Sequence, residues 1–142
     1  MYKVLVERTL DLPRKQVFDI LVQFGGLEKI LPDMIDSLEV VGSGIGALRK
    51  IKLKNGGNIT ERLDAAYDDH LFAYTITFND VMPFDNYCAV VTLEDAGDKT
   101  AARWGSNWDA KGASEDEVKS MLNGLYGTLL EGLQKLVTGA ER

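Results

Sequence analysis

Among the 142 residues of this chain, Glu61 stands out, because an alternating stretch places it on the same side as Ile59 and Leu63 while Thr60 and Arg62 point the other way. A carboxylate on an otherwise apolar face costs free energy unless something pairs with it, so it suits ligand contact or proton transfer. Two plainer readings compete: the register is reversed, or Glu61 meets a lysine of a neighbouring strand in solvent. Trp104, Ser106 and Trp108 share one side of a later stretch, opposite Arg103, Gly105 and Asn107, and make an amphipathic wall of two indoles around a hydroxyl. Tyr87, Ala89 and Val91 form a matching stripe on the preceding stretch. Tyr126 borders the apolar side of the last helical segment, to which Leu125 and Leu129 belong. Taken singly, each has a packing role as its plain reading, although a buried Ser106 would need a hydrogen-bond partner in the core. Together, Glu61, Tyr87, Ala89, Trp104, Ser106, Trp108, Leu125, Tyr126 and Leu129 make up the candidate ligand-binding set, and Glu61 is the candidate catalytic group.

Other reactive residues suggest less. Cys88 is the single cysteine and His70 the single histidine, so no internal disulfide forms and the usual zinc ligand sets are not reached. Cys88 reads as a packing residue and His70 as part of a polar turn. No cofactor or metal is expected. Arg49, Lys50, Lys52 and Lys54 nearly alternate with Leu48, Ile51 and Leu53, and this cluster reads as the solvated face of a strand. With 22 acidic against 16 basic residues the net charge is -6, which repels phosphate backbones, so nucleic acid is not an expected partner. No apolar run approaches a membrane span and the first residues lack a signal-peptide core. A cytoplasmic protein, monomeric or weakly homodimeric, is expected.

The elements that must position these side chains follow from periodicity. With 45% hydrophobic residues, the chain can bury one substantial core. Residues 2–10 suit a half-buried strand that Asp11-Leu12-Pro13 stops. A helix with Pro13 in its first turn carries Val17, Phe18, Leu21 and Val22 and ends at Gly25-Gly26; a second, short one spans Leu27 to Leu31. Strands are expected near 36–42, 47–55, 58–67, 71–79, 85–95 and 99–110, separated by glycine, asparagine and aspartate turns. Ser114 to Glu117 is a capping box, and Val118, Leu122, Leu125, Leu129, Leu133 and Leu136 give the helix behind it an apolar face about six turns long. Of its internal glycines, Gly132 falls near that face, where it would widen a cavity or admit a close neighbour; Gly124 and Gly127 fall away from it. A curved sheet of seven antiparallel strands wrapped around the long helix satisfies all these patterns in one α+β domain spanning 1–142.

Thr60-Glu61-Arg62-Leu63-Asp64, then Asp68-Asp69 and Asn86-Tyr87, resemble the polyketide cyclase/dehydrase and lipid transport superfamily, which includes START-like domains and the plant abscisic acid receptors. The resemblance extends to Leu10-Asp11-Leu12-Pro13, Val17-Phe18, the turn Gly42-Ser43-Gly44-Ile45-Gly46 and the closing helix. It implies the helix-grip fold, with Glu61 and Tyr87 facing the cavity and with mobile loops at Asn55-Gly56-Gly57-Asn58 and Met82-Pro83-Phe84-Asp85 at its mouth. The receptors' Ser-Gly-Leu-Pro gate, their His-Arg-Leu latch and the lysine that holds the hormone's carboxylate have no counterpart, so abscisic acid is not the expected ligand.

Three functions fit these residues. The first is carriage or sensing of one small hydrophobic or amphipathic molecule in an internal cavity. The second is a cyclase or dehydratase that uses Glu61 or Tyr87 for proton transfer. The third is a protein-interaction module with a filled core and an exposed apolar patch.

Overall fold

The computed structural model describes residues 1–138. Seven strands form one antiparallel sheet: β1 (Val4–Leu10), β2 (Ile35–Val41), β3 (Leu48–Leu53), β4 (Asn58–Tyr67), β5 (Leu71–Asn79), β6 (Phe84–Ala96) and β7 (Lys99–Ala110). Their spatial order is β1-β7-β6-β5-β4-β3-β2, so sequence neighbours pair throughout except where β1 closes on β7. Helices α1 (Arg14–Val22) and α2 (Leu27–Ile30) follow β1, and α3 (Glu115–Thr138) ends the described chain. This is the expected α+β helix-grip arrangement.

Each boundary has a local cause. Pro13 serves as the N-cap of α1 rather than sitting in its first turn, and Gly26, with φ 83°, begins α2 in the left-handed region that glycine tolerates. The capping box of α3 forms as expected: Glu117 N–H donates to Ser114 Oγ at 3.1 Å, and Ser114 N–H donates to Glu117 Oε1 at 2.9 Å. Hydrogen bonding from the Ser114 backbone N–H, with its side chain adding to it, holds the Glu117 carboxyl below its ordinary range.

The core lies between the concave face of the sheet and α3. From the helix it takes Val118, Leu122, Tyr126, Leu129, Leu130 and Leu133, all buried. Tyr126 therefore belongs to the core rather than to its border. Leu125 and Leu136 are only half-buried. Cys88 turns outward and is exposed, which corrects the packing role expected of it. His70 does sit in the β4–β5 turn, with Nδ1 3.0 Å from the carbonyl oxygen of Leu93.

Gly132 marks a close crossing of helices, for a Cβ there would lie 2.5 Å from Ile30 Cγ2 and 3.2 Å from the Ile30 carbonyl oxygen. Around Gly124 nothing lies within 4 Å. Alanine should therefore act oppositely at the two positions. Gly124→Ala is expected to stabilise by about 0.5–1 kcal/mol through helix propensity, whereas Gly132→Ala should destabilise by about 1–3 kcal/mol as α2 is pushed from α3. Urea denaturation of the two variants checks the contrast, and equal shifts would contradict it.

Candidate functional site

Strand parity builds the polar centre of the site. On β4, Ile59, Glu61 and Leu63 all face inward and are buried. On β3, burial alternates so that Arg49, Ile51 and Leu53 face inward while Lys50 and Lys52 are exposed. Arg49 thus separates from the lysines with which it was grouped as a solvated face. The register sets it directly opposite Glu61. Neither plain reading of Glu61 applies, because its partner is an arginine on the neighbouring strand and the pair is buried, with side-chain exposures of 8% and 10%.

Arg49 Nε donates to Glu61 Oε1 at 2.8 Å, Nη2 donates to the same oxygen, and Nη1 reaches the Phe24 carbonyl at 3.5 Å. The guanidinium carbon lies 4.2 Å from the centre of the Phe24 ring and 5.8 Å from that of Tyr74. Phe24 itself has φ 62°, a left-handed conformation that a bulky residue adopts only where surrounding contacts enforce it. Burial of its ring and the charge stacked upon it supply those contacts. The second oxygen of Glu61, Oε2, accepts no hydrogen bond among the described residues.

A second polar feature crosses the core. Trp104 Nε1 donates to the Tyr74 hydroxyl at 3.3 Å, and that hydroxyl lies 3.0 Å from the Tyr87 hydroxyl. The Tyr87 hydroxyl bonds that of Tyr126, which donates to Ser106 Oγ at 2.8 Å. Burial raises the pKa of all three phenols above the ordinary tyrosine value, and nearby charge reinforces it, from Glu61 at Tyr74 and Tyr126 and from the neighbouring tyrosines at Tyr87. They remain neutral at physiological pH.

Tyr87 reaches this chain through a bulge. Between Asp85 and Cys88, β6 carries one residue more than β7 opposite it, and Asn86 takes up the kink with φ 55°. As a result both Phe84 and Tyr87 point inward, and their rings stack with centroids 5.1 Å apart.

These groups border a cavity of about 80 Å³ beneath α1, α2 and the middle of α3. One water needs only about 10–15 Å³ measured this way. Apart from Arg49, Glu61 and the hydroxyl tips, the wall is aliphatic and aromatic, including Ile20, Leu27, Ile30, Ile51, Ile59, Ile76, Phe72 and Leu133. Of the residues selected from sequence, Glu61, Tyr87, Trp104, Leu125 and Leu129 line it. Ser106 and Tyr126 lie behind the wall, reaching it only through the hydroxyl chain, and Ala89 packs in the core. Trp108 is also in the core, where its Nε1 has no acceptor among the described residues.

Arg49, Tyr74 and Phe84 line the cavity although the sequence reading did not select them. The signal for Arg49 was its parity with Ile51 and Leu53; that for Phe84 was an asparagine able to occupy the left-handed region two residues later.

At one end, the first loop expected at the mouth, Asn55-Gly56-Gly57-Asn58, packs on Asp80 and Val81, just ahead of the second, Met82-Pro83-Phe84-Asp85, whose Phe84 and Asp85 already belong to β6. Gly57 lies against Val81 so closely that a Cβ would fall 2.5 Å from Val81 Cβ. Asn58 N–H donates to Asp80 Oδ1 at 2.7 Å and Asn58 Nδ2 to Asp80 Oδ2 at 3.1 Å, bonds that lower the Asp80 pKa. Met82 and Phe84, just beyond Asp80, line the cavity. Among the described residues no three His, Cys, Asp or Glu side chains converge as a metal site would require, and no helix is long and apolar enough to cross a membrane.

Comparison with solved structures returns the same architecture. XoxI from Bacillus cereus is similar at 22% identity over 98% of this chain and 97% of its own, with a TM-score of 0.74. Ara h 8.0201 is 21% identical over 95% and 96%, TM-score 0.79. Norcoclaurine synthase from Thalictrum flavum is 16% identical over 95% and 85%, TM-score 0.78. No curated protein sequence matches the chain. The family model described as polyketide cyclase / dehydrase and lipid transport matches residues 1–138, nearly the entire length. The chain belongs to that family.

Proposed function

We propose that this protein binds one small, largely apolar molecule in the cavity between its sheet and α3, as a carrier or sensor. The observation that carries the reading is an apolar cavity with the buried Glu61–Arg49 pair in its wall, where one carboxylate oxygen lacks a protein partner. That oxygen keeps some accessible surface, unlike the sealed Trp108 Nε1, so a molecule in the cavity can reach it and donate to it. The fold also admits small aromatic compounds elsewhere, since norcoclaurine synthase has been solved with dopamine and hydroxybenzaldehyde.

Catalysis has less support. A proton shuttle needs a group that changes protonation near neutrality, and the three phenols are all raised away from that range. An interaction module calls for a filled core, which the cavity argues against.

Native mass spectrometry of the purified protein, followed by denaturing extraction, tests the proposal. A one-to-one adduct is expected, or saturable one-to-one uptake of the neutral fluorophore N-phenylnaphthylamine by protein that arrives empty. An empty mass together with no saturable uptake would refute it.

A further inference from the structure

The polar wall of the cavity has a direction, because the donors along the hydroxyl chain can be counted. Trp104 Nε1 can only donate, so it contributes its proton to Tyr74. At the other end Tyr126 donates to Ser106. The single proton of Tyr126 being spent there, the bond between Tyr87 and Tyr126 must carry the proton of Tyr87. By the same count, the bond between Tyr74 and Tyr87 carries the proton of Tyr74. Every phenolic proton is thus directed along the chain toward Ser106 of β7 and away from the cavity, and the hydroxyls of Tyr74 and Tyr87 can offer a ligand only lone pairs.

Glu61 adds to the same bias. Oε2 can only accept, and it lies in the cavity wall with no partner among the described residues. The nearby donor is Arg49, which turns Nε and Nη2 onto Glu61 Oε1 and Nη1 toward the Phe24 carbonyl, engaging three of its five N–H groups, and lays its flat face against Phe24 and Tyr74. Because Arg49 and Glu61 cancel in formal charge, the site does not call for an ion.

We propose that the cavity selects an apolar molecule bearing a neutral hydrogen-bond donor, such as a hydroxyl group, over the corresponding carboxylate, and that Ser106 sets this preference from outside the cavity. The proposal rests on the ligand-binding reading above. A hydroxyl would donate to Glu61 Oε2, a bond to a charged acceptor, while a carboxylate would bring its lone pairs against those of Glu61, Tyr74 and Tyr87. Ser106 is a positioning residue. It accepts the proton of Tyr126, and without that acceptor the chain can reverse, so that Tyr126 donates to Tyr87, Tyr87 to Tyr74, and Tyr74 into the cavity.

Calorimetric titration at neutral pH with naphthalene, β-naphthol and β-naphthoate compares no polar group, a neutral donor and an anion on one body. β-Naphthol is expected to bind about tenfold tighter than naphthalene, the worth of one hydrogen bond to a charged acceptor, and β-naphthoate more weakly than either. In Ser106→Ala the advantage of β-naphthol over β-naphthoate should shrink by about tenfold, and in Ser106→Thr, which keeps the acceptor, it should persist. A merely structural Ser106 would weaken all three probes together and leave their order unchanged, which would remove its proposed role. Equal affinities in the native protein, or a preference for β-naphthoate, would overturn the donor selectivity while leaving ligand binding intact. If none of the probes binds but the native mass carries an adduct, donor selectivity fails alone; if there is no adduct either, both readings fail.

Discussion

Replacing Arg49 with methionine is expected to lower stability by about 3–5 kcal/mol, because it strands a buried carboxylate with no countercharge. Both members of the pair are about nine-tenths buried, Arg49 supplies both donors seen on Glu61 Oε1, and the residue opposite Glu61 on its other side, Ile76 of β5, is apolar and offers no countercharge. Most of this loss should disappear when Glu61→Gln is added, since an uncharged amide tolerates the site far better. The double variant is then expected within about 1–2 kcal/mol of the native protein, as for other buried pairs replaced together. Urea unfolding of the native protein, both single variants and the double variant measures the coupling. Salt should alter the result little, because the pair is shielded from solvent counterions. A loss below about 1 kcal/mol in Arg49→Met would show that the pair is solvated and remove the central polar feature of the proposed site. The methionine also fills much of the space of the arginine stem, so a large effect would reflect charge rather than a hole.

The next largest effect on binding is expected at Asn86, which touches the cavity only through the geometry it imposes. Its φ of 55° lies where asparagine and glycine are tolerated and a β-branched side chain is not. Asn86→Val should therefore cost about 1–3 kcal/mol, and Asn86→Gly should keep the bulge. Asparagine also donates from Nδ2 to Asp109 Oδ2 at 2.8 Å, so the glycine variant loses that exposed bond while preserving the backbone. The functional consequence follows from strand parity. With the extra residue, Phe84 and Tyr87 both face inward and stack; without it, regular alternation that keeps Tyr87, Ala89 and Val91 inside would turn Asp85 inward and Phe84 outward. Uptake of N-phenylnaphthylamine should accordingly weaken in Asn86→Val and survive in Asn86→Gly. Equal behaviour of the two variants would mean that the bulge does not depend on the conformation of Asn86.

These two effects show how stability and binding are linked here. The ion pair and the bulge each cost free energy and place groups at the cavity wall, and the strained Phe24 stacks behind Arg49. A core optimised only for stability would more often fill such a space with aliphatic side chains. Retaining polar groups there supports the proposed ligand-binding reading, and the count of donors along the tyrosine chain supports the proposed preference for a hydrogen-bond donor.

Much of the scaffold was legible in local patterns. Alternation located every strand to within a few residues, since each side chain's face depends only on its neighbours in the same strand. The capping box began α3, and three- and four-residue spacing marked its apolar side. The same alternation was sufficient to place Glu61 inward. Tertiary structure alone decided who meets whom. That Glu61 faces Arg49 depends on the pairing register of β3 with β4; that Tyr74, Tyr87, Tyr126 and Ser106 form one chain depends on bonds between residues up to 39 positions apart, drawn from three strands and α3. The bulge at Asn86 and the free volume among the apolar side chains arise likewise from the curvature of the whole sheet against its helices. Periodicity encodes the direction in which a side chain points from its own element, whereas a binding site is a set of distances between elements, and those are fixed only when the chain packs.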